Sequence, residues 1–329
     1  MKKTTYCVAL AALLMFATST AHAVDFNFVD VLDVGNAADT TTGYGSVDHA
    51  YSIATTEVTN AQYVEFLNAI ADSDPNGVWN STMDINQSGA DGSYIYTVDS
   101  GFGSKPVTPV SFANAMRFVN WLENGEPTGP QGAGTTETGT YTISDGISEN
   151  RADEATFILP SEDEWYKAAY YDPRLAAAGG PLGDDNYWLY PTQSDSAPTA
   201  EEPAGEANSA NFAAAALPDM TTTDVGAYTG TTSFYDGLDF GGNVFEWTEG
   251  IDGPNRVIRG GTWDGSSTFL EATSRTVVLP GGGSFISGFG FRVAAILNYT
   301  PEPGTAVLAL TGTLLLMMFS GRQFQKRTR

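Results

Sequence analysis

Gly242-Asn243-Val244-Phe245-Glu246-Trp247-Thr248, then Arg259-Gly260-Gly261-Thr262-Trp263 and Gly288-Phe289-Gly290-Phe291-Arg292, are the stretches on which the fold turns. Each sets glycines beside aromatic and charged residues, a pattern of short strands joined by tight turns. Strands and turns are therefore expected over Asp224 to Tyr228, Gly241 to Thr248, Arg256 to Trp263 and Gly288 to Ala295. Trp121, Trp165, Trp247 and Trp263 read as core aromatics, whose large apolar bodies suit a loop-rich domain. Arg259 and Arg292 are expected to brace loops through carboxylates or carbonyls. Gly260 and Gly261 are expected to supply backbone conformations closed to other residues.

Upstream the period changes. Phe26, Phe28, Val29 and Val31 lead into a Gly/Thr-rich loop, and Tyr51-Ser52-Ile53-Ala54 reads as a strand. Thr59 and Gln62 make a capping-box pair, and Tyr63, Phe66, Leu67 and Ile70 then recur at helical spacing. Ser111 caps a second helix with Ala115, Phe118, Val119 and Leu122 on one face. Ser161 and Glu164 start a third, with Trp165, Ala168 and Ala169 inward. Residues 78–104, 124–150 and 173–210 are polar, Gly- and Pro-rich excursions, the first with a hairpin around Tyr94-Ile95-Tyr96. Helices early and short strands late predict one α+β domain.

The ends of the chain carry a different message. Lys2 and Lys3, the apolar run Val8 to Phe16 and Ala21-His22-Ala23 have the order of a secretory signal, so residues 1–23 are expected to be removed by signal peptidase. The only cysteine, Cys7, would leave with that signal, and no disulfide would remain. The formal charge is −24, from 15 basic and 39 acidic side chains. Such a surface repels phosphate backbones and argues against nucleic-acid binding. Pro301-Glu302-Pro303, an apolar stretch from Thr305 to about Gly321 and the basic run Arg322 to Arg327 resemble the PEP-CTERM sorting signal in residues 298–329. The apolar stretch has the character of a transmembrane helix, with the basic tail held inside. The resemblance implies an exosortase as processing enzyme, transient anchoring in the inner membrane, and sorting to the envelope or extracellular matrix of a Gram-negative-type bacterium.

Between these ends, more motifs precede the three quoted first. They are Glu57-Val58-Thr59-Asn60-Ala61-Gln62-Tyr63, Pro109-Val110-Ser111-Phe112 with Asn120-Trp121-Leu122, and Leu159-Pro160-Ser161-Glu162-Asp163-Glu164-Trp165. In this order they resemble the formylglycine-generating-enzyme, or sulfatase-modifying-factor, family over residues 50–297, with 24–49 as an N-terminal strand and loop segment. The resemblance implies that family's variant of the C-type lectin-like fold, a loop-rich α+β domain. Oxidases of the family hold Cu(I) with two cysteines after the Arg-Gly-Gly motif, and soft thiolates suit that ion. Here Gly265 and Leu270 stand at about those positions, so copper is not expected.

Histidine-bound iron is equally excluded, because His49 is the only histidine outside the signal. No Gly-x-Ser-x-Gly nucleophile motif occurs, and His49 reads as a surface or packing residue. No spacing singles out a carboxylate pair for glycoside hydrolysis. The resemblance also implies calcium, held by Asp239, the Gly242 and Val244 carbonyls and Glu246. A turn in which Asp239 caps backbone amides is the alternative. A second calcium site would draw on Asn211, the Phe212 carbonyl and Asp219. Hard oxygen donors of this kind suit that ion. The expected function is an exported binding or structural module, facing exopolysaccharide or envelope proteins. A divergent enzyme of the same oxidase family is the alternative.

Overall fold

The computed structural model describes residues 24–143, 150–183, 185–213, 221–280 and 288–297. Residues 1–23 and 298–329, expected to be the secretory signal and the sorting segment, and Asp219 lie outside the described residues. Among those described, no helix is long and apolar enough to cross a membrane.

Three helices form where the sequence caps them. Helix α1 (Asn60–Ile70) starts at Thr59, whose hydroxyl accepts from the Gln62 amide while the Gln62 side chain accepts from the Thr59 amide at 2.8 Å. Both orphan donors are thereby satisfied. Helix α2 (Phe112–Glu123) is capped by Ser111, and α3 (Glu162–Tyr170) by a second capping box of Ser161 and Glu164.

Two small sheets complete the frame. The first runs β1 (Phe28–Val31), β2 (Tyr51–Ala54), β12 (Ala294–Ile296), β5 (Phe157–Ile158), all antiparallel. It joins the N-terminal segment, the middle and the C-terminal end of the domain, with Ile53 opposite Ala294 and Ala294 opposite Ile158. The second runs β10 (Thr276–Val278), β9 (Asn255–Arg259), β8 (Phe245–Asp252), β11 (Phe289–Gly290), with β11 parallel to β8. A hairpin of β3 (Ile85–Ser88) and β4 (Ile95–Val98), and a parallel pair of β6 (Thr199–Ala200) and β7 (Ser209–Ala210), lie in two of the excursions.

Sequence expectation and structure part at three places. Residues 224–228 form turns rather than a strand. Strand β9 stops at Arg259 instead of continuing to Trp263, because Gly260 and Gly261 take φ of +99° and +84° and break the ladder. Trp263 is only half-buried, while Trp121, Trp165 and Trp247 are core residues.

The excursions are tied down by side-chain amides. Asn120 Nδ2 donates to the carbonyls of Thr136 and Tyr141, and Asn120 Oδ1 accepts from the Tyr141 amide at 2.8 Å. Asn68 clamps Tyr96 in the β3–β4 hairpin through both its donor and its acceptor. Loop carbonyls buried without sheet partners are satisfied in this way, as buried polar groups must be.

One cluster of core residues unites α1, α2 and the second sheet: Phe118 packs on Tyr63, Phe66, Trp121 and Phe291. Trp247 closes it against Phe112 and Phe289, and its Nε1 donates to the Val110 carbonyl at 2.7 Å. A second cluster sets α3 against the first sheet through Trp165, Tyr166, Tyr170, Ile53 and Ala294. Trp247→Ala removes a fully buried ring and leaves a buried carbonyl unpaired, so a loss of about 3–5 kcal/mol is expected in urea unfolding. A loss under about 1 kcal/mol would place Trp247 outside the core.

Candidate functional site

Glu246 and Arg292 organise the centre of the molecule. Arg292 leaves the connection between β11 and β12 and donates Nε to Glu246 Oε2 and Nη2 to Glu246 Oε1, both at 2.6 Å. Both side chains have no solvent exposure. Trp165 Nε1 donates to Glu246 Oε2 at 2.8 Å, so α3 joins the same group. The remaining guanidinium donors go to the carbonyls of Ala54, Thr55 and Leu238, and its face lies 3.8 Å from the Phe240 ring centroid. Arg259 acts similarly, pairing with Glu162 at 2.6 Å and bonding the carbonyls of Ala272 and Ser274.

Asn243 is the second hub. It adopts φ +60°, between Gly242 and Val244. Its amide nitrogen donates to the Asn211 carbonyl at 2.9 Å, and its carbonyl accepts from Trp263 at 3.0 Å. Its side-chain oxygen accepts from Thr223 N and Asn211 Nδ2, and its Nδ2 donates to Glu57 Oε1 at 3.1 Å. Gly242 must be glycine: φ is +88°, and a Cβ there would stand 2.2 Å from the Asn211 carbonyl oxygen.

Of the residues expected to hold calcium, Asp239, Gly242 and Val244 lie on the loop leading into β8, and Glu246 is in that strand. Asp239, at φ +56°, accepts from the Gly226 amide and lines a small hollow with Thr192, Ser209, Tyr228, Thr231 and Phe240. Glu246 is shared with Arg292 and Trp165. Asn211 is drawn to the same loop through Asn243, with Phe212 buried beside it. No three His, Cys, Asp or Glu side chains among the described residues form a metal-holding group.

A third buried carboxylate was not singled out in the sequence. Glu57, between β2 and the α1 cap, is fully buried, and its Oε2 has no hydrogen-bond partner. Burial, then the negative charges of Asp239 and Glu246, push its carboxyl well above the usual range, against the pull of Arg292. Burial likewise lifts Asp239 to about 6, against the Gly226 amide and Arg292. Three carboxylates thus share one guanidinium, and the centre is short of positive charge.

Around Gly265 and Leu270, the residues expected about where the family's enzymes carry thiolates, the loop is packed. Leu270 is fully buried against Tyr190, Ala210 and Phe212. The Gly265 carbonyl accepts from Ala213 at 2.7 Å, and a Cβ at Gly265 would meet Phe269 at 3.2 Å. Around it Asp264, Ser266, Thr268 and Phe269 are exposed, with Trp263 half-buried beside them.

Residues 35–297 match the FGE-sulfatase family, described as the sulfatase-modifying factor enzyme 1-like domain. The chain belongs to this family. The FGE-sulfatase match covers both sheets from β2 onward and all three helices. The fold is shared with CarF, at 18% identity and TM-score 0.52, over 84% of this chain and 100% of that one. Treponema denticola variable protein 1 matches at 20% identity, TM-score 0.47, over 83% of this chain and 95% of that chain. PvdO from Pseudomonas aeruginosa matches at 16% identity, TM-score 0.40, over 78% and 83%. No curated protein matches the chain in sequence. The α+β architecture of three helices, small sheets and long loops is the FGE-sulfatase fold, consistent with the C-type lectin-like class.

A second ionic group lies at the start of α3. Arg151 bridges Glu164 at 2.8 Å and Glu249 at 2.6 Å, and Tyr141 donates to Glu249. His49, half-exposed, sits with Nε2 2.8 Å from Glu164 Oε1 and Nδ1 near Asp48. Burial raises the Glu164 carboxyl, but hydrogen bonds from His49 and Arg151 outweigh it and hold the group at about 2. The hydrogen bond to Glu164 raises His49 above its usual 6.5, against burial. Burial raises Glu249, so its effect runs the other way.

Glu164 therefore stabilises the fold fully above its unfolded value of 4.5, and this is lost as pH falls toward 2. The His49 contribution is full below pH 6.5 and fades as pH rises through its raised value. Glu164→Gln is expected to cost on the order of 3 kcal/mol at pH 6 and much less at pH 2.5. Urea midpoints of both proteins across that range check it. A difference that does not shrink on acidification would contradict the assignment.

Proposed function

We propose that the protein is an exported binding or structural module on the FGE-sulfatase scaffold, without the copper-oxidase chemistry of the family's enzymes. The observation that carries this reading is the loop from Gly265 to Leu270. It offers no thiolate, and Leu270 is spent on packing against Tyr190, Ala210 and Phe212. With Cys7 as its single cysteine, the chain cannot supply a two-thiolate Cu(I) site. What the loop offers instead is a shallow surface of hydroxyls and aromatic rings, Ser266, Thr268, Phe269 and Trp263. Such a mixture suits polar ligands carried on a rigid frame.

The terminal segments place the module outside the cell in this reading. Signal peptidase removes residues 1–23, and an exosortase acts on the Pro301-Glu302-Pro303 segment after transient anchoring in the inner membrane. The protein then resides in the envelope or extracellular matrix, with exopolysaccharide or an envelope protein as ligand. Calcium is the structural ion of the module. Asp239, Glu246 and the carbonyls of Gly242 and Val244 would hold it and link α3, β8 and the Asn211 segment. Asn211, the Phe212 carbonyl and Asp219 would form a second site.

Purified protein is expected to bind polysaccharides on a glycan array at fixed calcium and to lose thermal stability in chelator. It is expected to bind Cu(I) only weakly and to leave a Cys-x-Pro-x-Arg peptide unchanged. Tight Cu(I) binding with conversion of that peptide would establish the divergent enzyme instead. A melting temperature unmoved by chelator would remove calcium from the account.

A further inference from the structure

Val24 is the residue with which the exported chain is expected to begin, and the fold takes hold of it at once. Its side chain is buried in the core cluster that α1 and α2 share. The Asp25 carbonyl accepts from Gln62 Nε2 at 2.7 Å, the Phe26 ring packs edge-on against Phe118, and the Asn27 carbonyl accepts from the Thr55 amide. The first residues of a domain are seldom held unless something ties them down. Here the tie reaches the Val24 nitrogen itself, which donates to Glu126 Oε2 at 2.9 Å.

Glu126 is unusual in two respects. It stands in the turn after α2 at φ +56°, a left-handed conformation that glycine adopts without steric cost, and its amide donates to the Trp121 carbonyl at 2.9 Å. A non-glycine residue held in such a conformation points to a use for its side chain. Its carboxylate also lacks a counter-charge. Burial raises it against the bond from Val24, Glu65 on α1 raises it further, and no cationic side chain among the described residues offsets them. Among the described residues the charged groups about this nitrogen are Glu126, Glu65 and, next in the chain, Asp25, all acidic.

We propose that Glu126 is the receptor for the α-ammonium group that appears on Val24 when signal peptidase cuts after Ala23. Hydrolysis of the Ala23–Val24 amide consumes one water and leaves a carboxyl on Ala23 and an amine on Val24, which is protonated below about pH 8. A backbone amide brings Glu126 a single hydrogen and no charge. The ammonium brings further hydrogens and the missing positive charge, and such charge-assisted bonds are the stronger kind. Removal of the signal thus completes a half-buried ion pair and fastens the N-terminal segment against α1 and α2. The inference rests on the cleavage reading above and adds what the fold does with the chain end so created.

N-terminal sequencing of the full chain exported from a Gram-negative host, then labelling of its α-amine with an amine-reactive reagent across pH, tests it. Wild type is expected to begin at Val24 and to label at pH 7 about tenfold more slowly than Glu126→Gln, because pairing moves the amine's titration up by about one pH unit. The difference is expected to fade as pH rises through that raised value, where both amines are free of their proton. A role confined to packing would leave the labelling rate unmoved, since glutamine keeps the shape and an accepting oxygen. Equal rates in the two proteins, or a wild-type amine titrating at or below about 8, would overturn the inference and leave the cleavage reading standing. The wild-type titration decides even where the variant fails to fold. A chain that begins elsewhere than Val24 would overturn the cleavage reading, and the inference with it.

Discussion

The pair between Arg292 and Glu246 joins the second sheet to α3 and to loops that no ladder reaches. Its two-point geometry fixes the β11–β12 connection against β8, and Trp165 ties α3 to the same carboxylate. The guanidinium also satisfies carbonyls after β2 and before Phe240. Bringing two charges out of water is costly, and removing either partner from such a pair costs about 3–5 kcal/mol. The pair is better understood as specifying one arrangement of loops than as a net source of stability. Both core clusters meet around it.

Elsewhere the same task falls to asparagine. Asn120, Asn124, Asn60 and Asn243 each reach backbone groups of segments distant in sequence. Side-chain amides that both donate and accept replace the ladders that a loop-rich domain lacks. With no cysteine after residue 7, hydrogen-bonded staples and buried ion pairs carry what disulfides carry in many exported domains.

The capped helices were legible because their signals are local. Thr59 with Gln62 and Ser161 with Glu164 needed only a three-residue spacing and an apolar stripe behind it. The bracing roles of Arg259 and Arg292 were also readable, from their place beside glycine-rich turns. Strands β5 and β10 were not read, since each is a short run without its partner in view. The strand expected over 224–228 gave way to turns because Val225 and Gly226 bond outward, to the Ser104 carbonyl and the Asp239 carboxylate. Glu57 and the Arg151 bridge were invisible for a related reason. A carboxylate's burial and its partners 98 or 186 residues away are properties of the fold, not of the neighbouring sequence.

The centre thus combines a family scaffold with a local charge imbalance, while Leu270 is buried in packing against Tyr190, Ala210 and Phe212. On the proposed function, residues 239–246 hold a cation and the loop 265–270 is a binding surface. A crystal structure grown with calcium, with an anomalous difference map, tests this most directly. The account predicts a peak bounded by Asp239, Glu246 and the carbonyl oxygens of Gly242 and Val244, at ~2.3–2.6 Å. A map without a peak there, with Glu246 held by Arg292 and Trp165 alone, would contradict it.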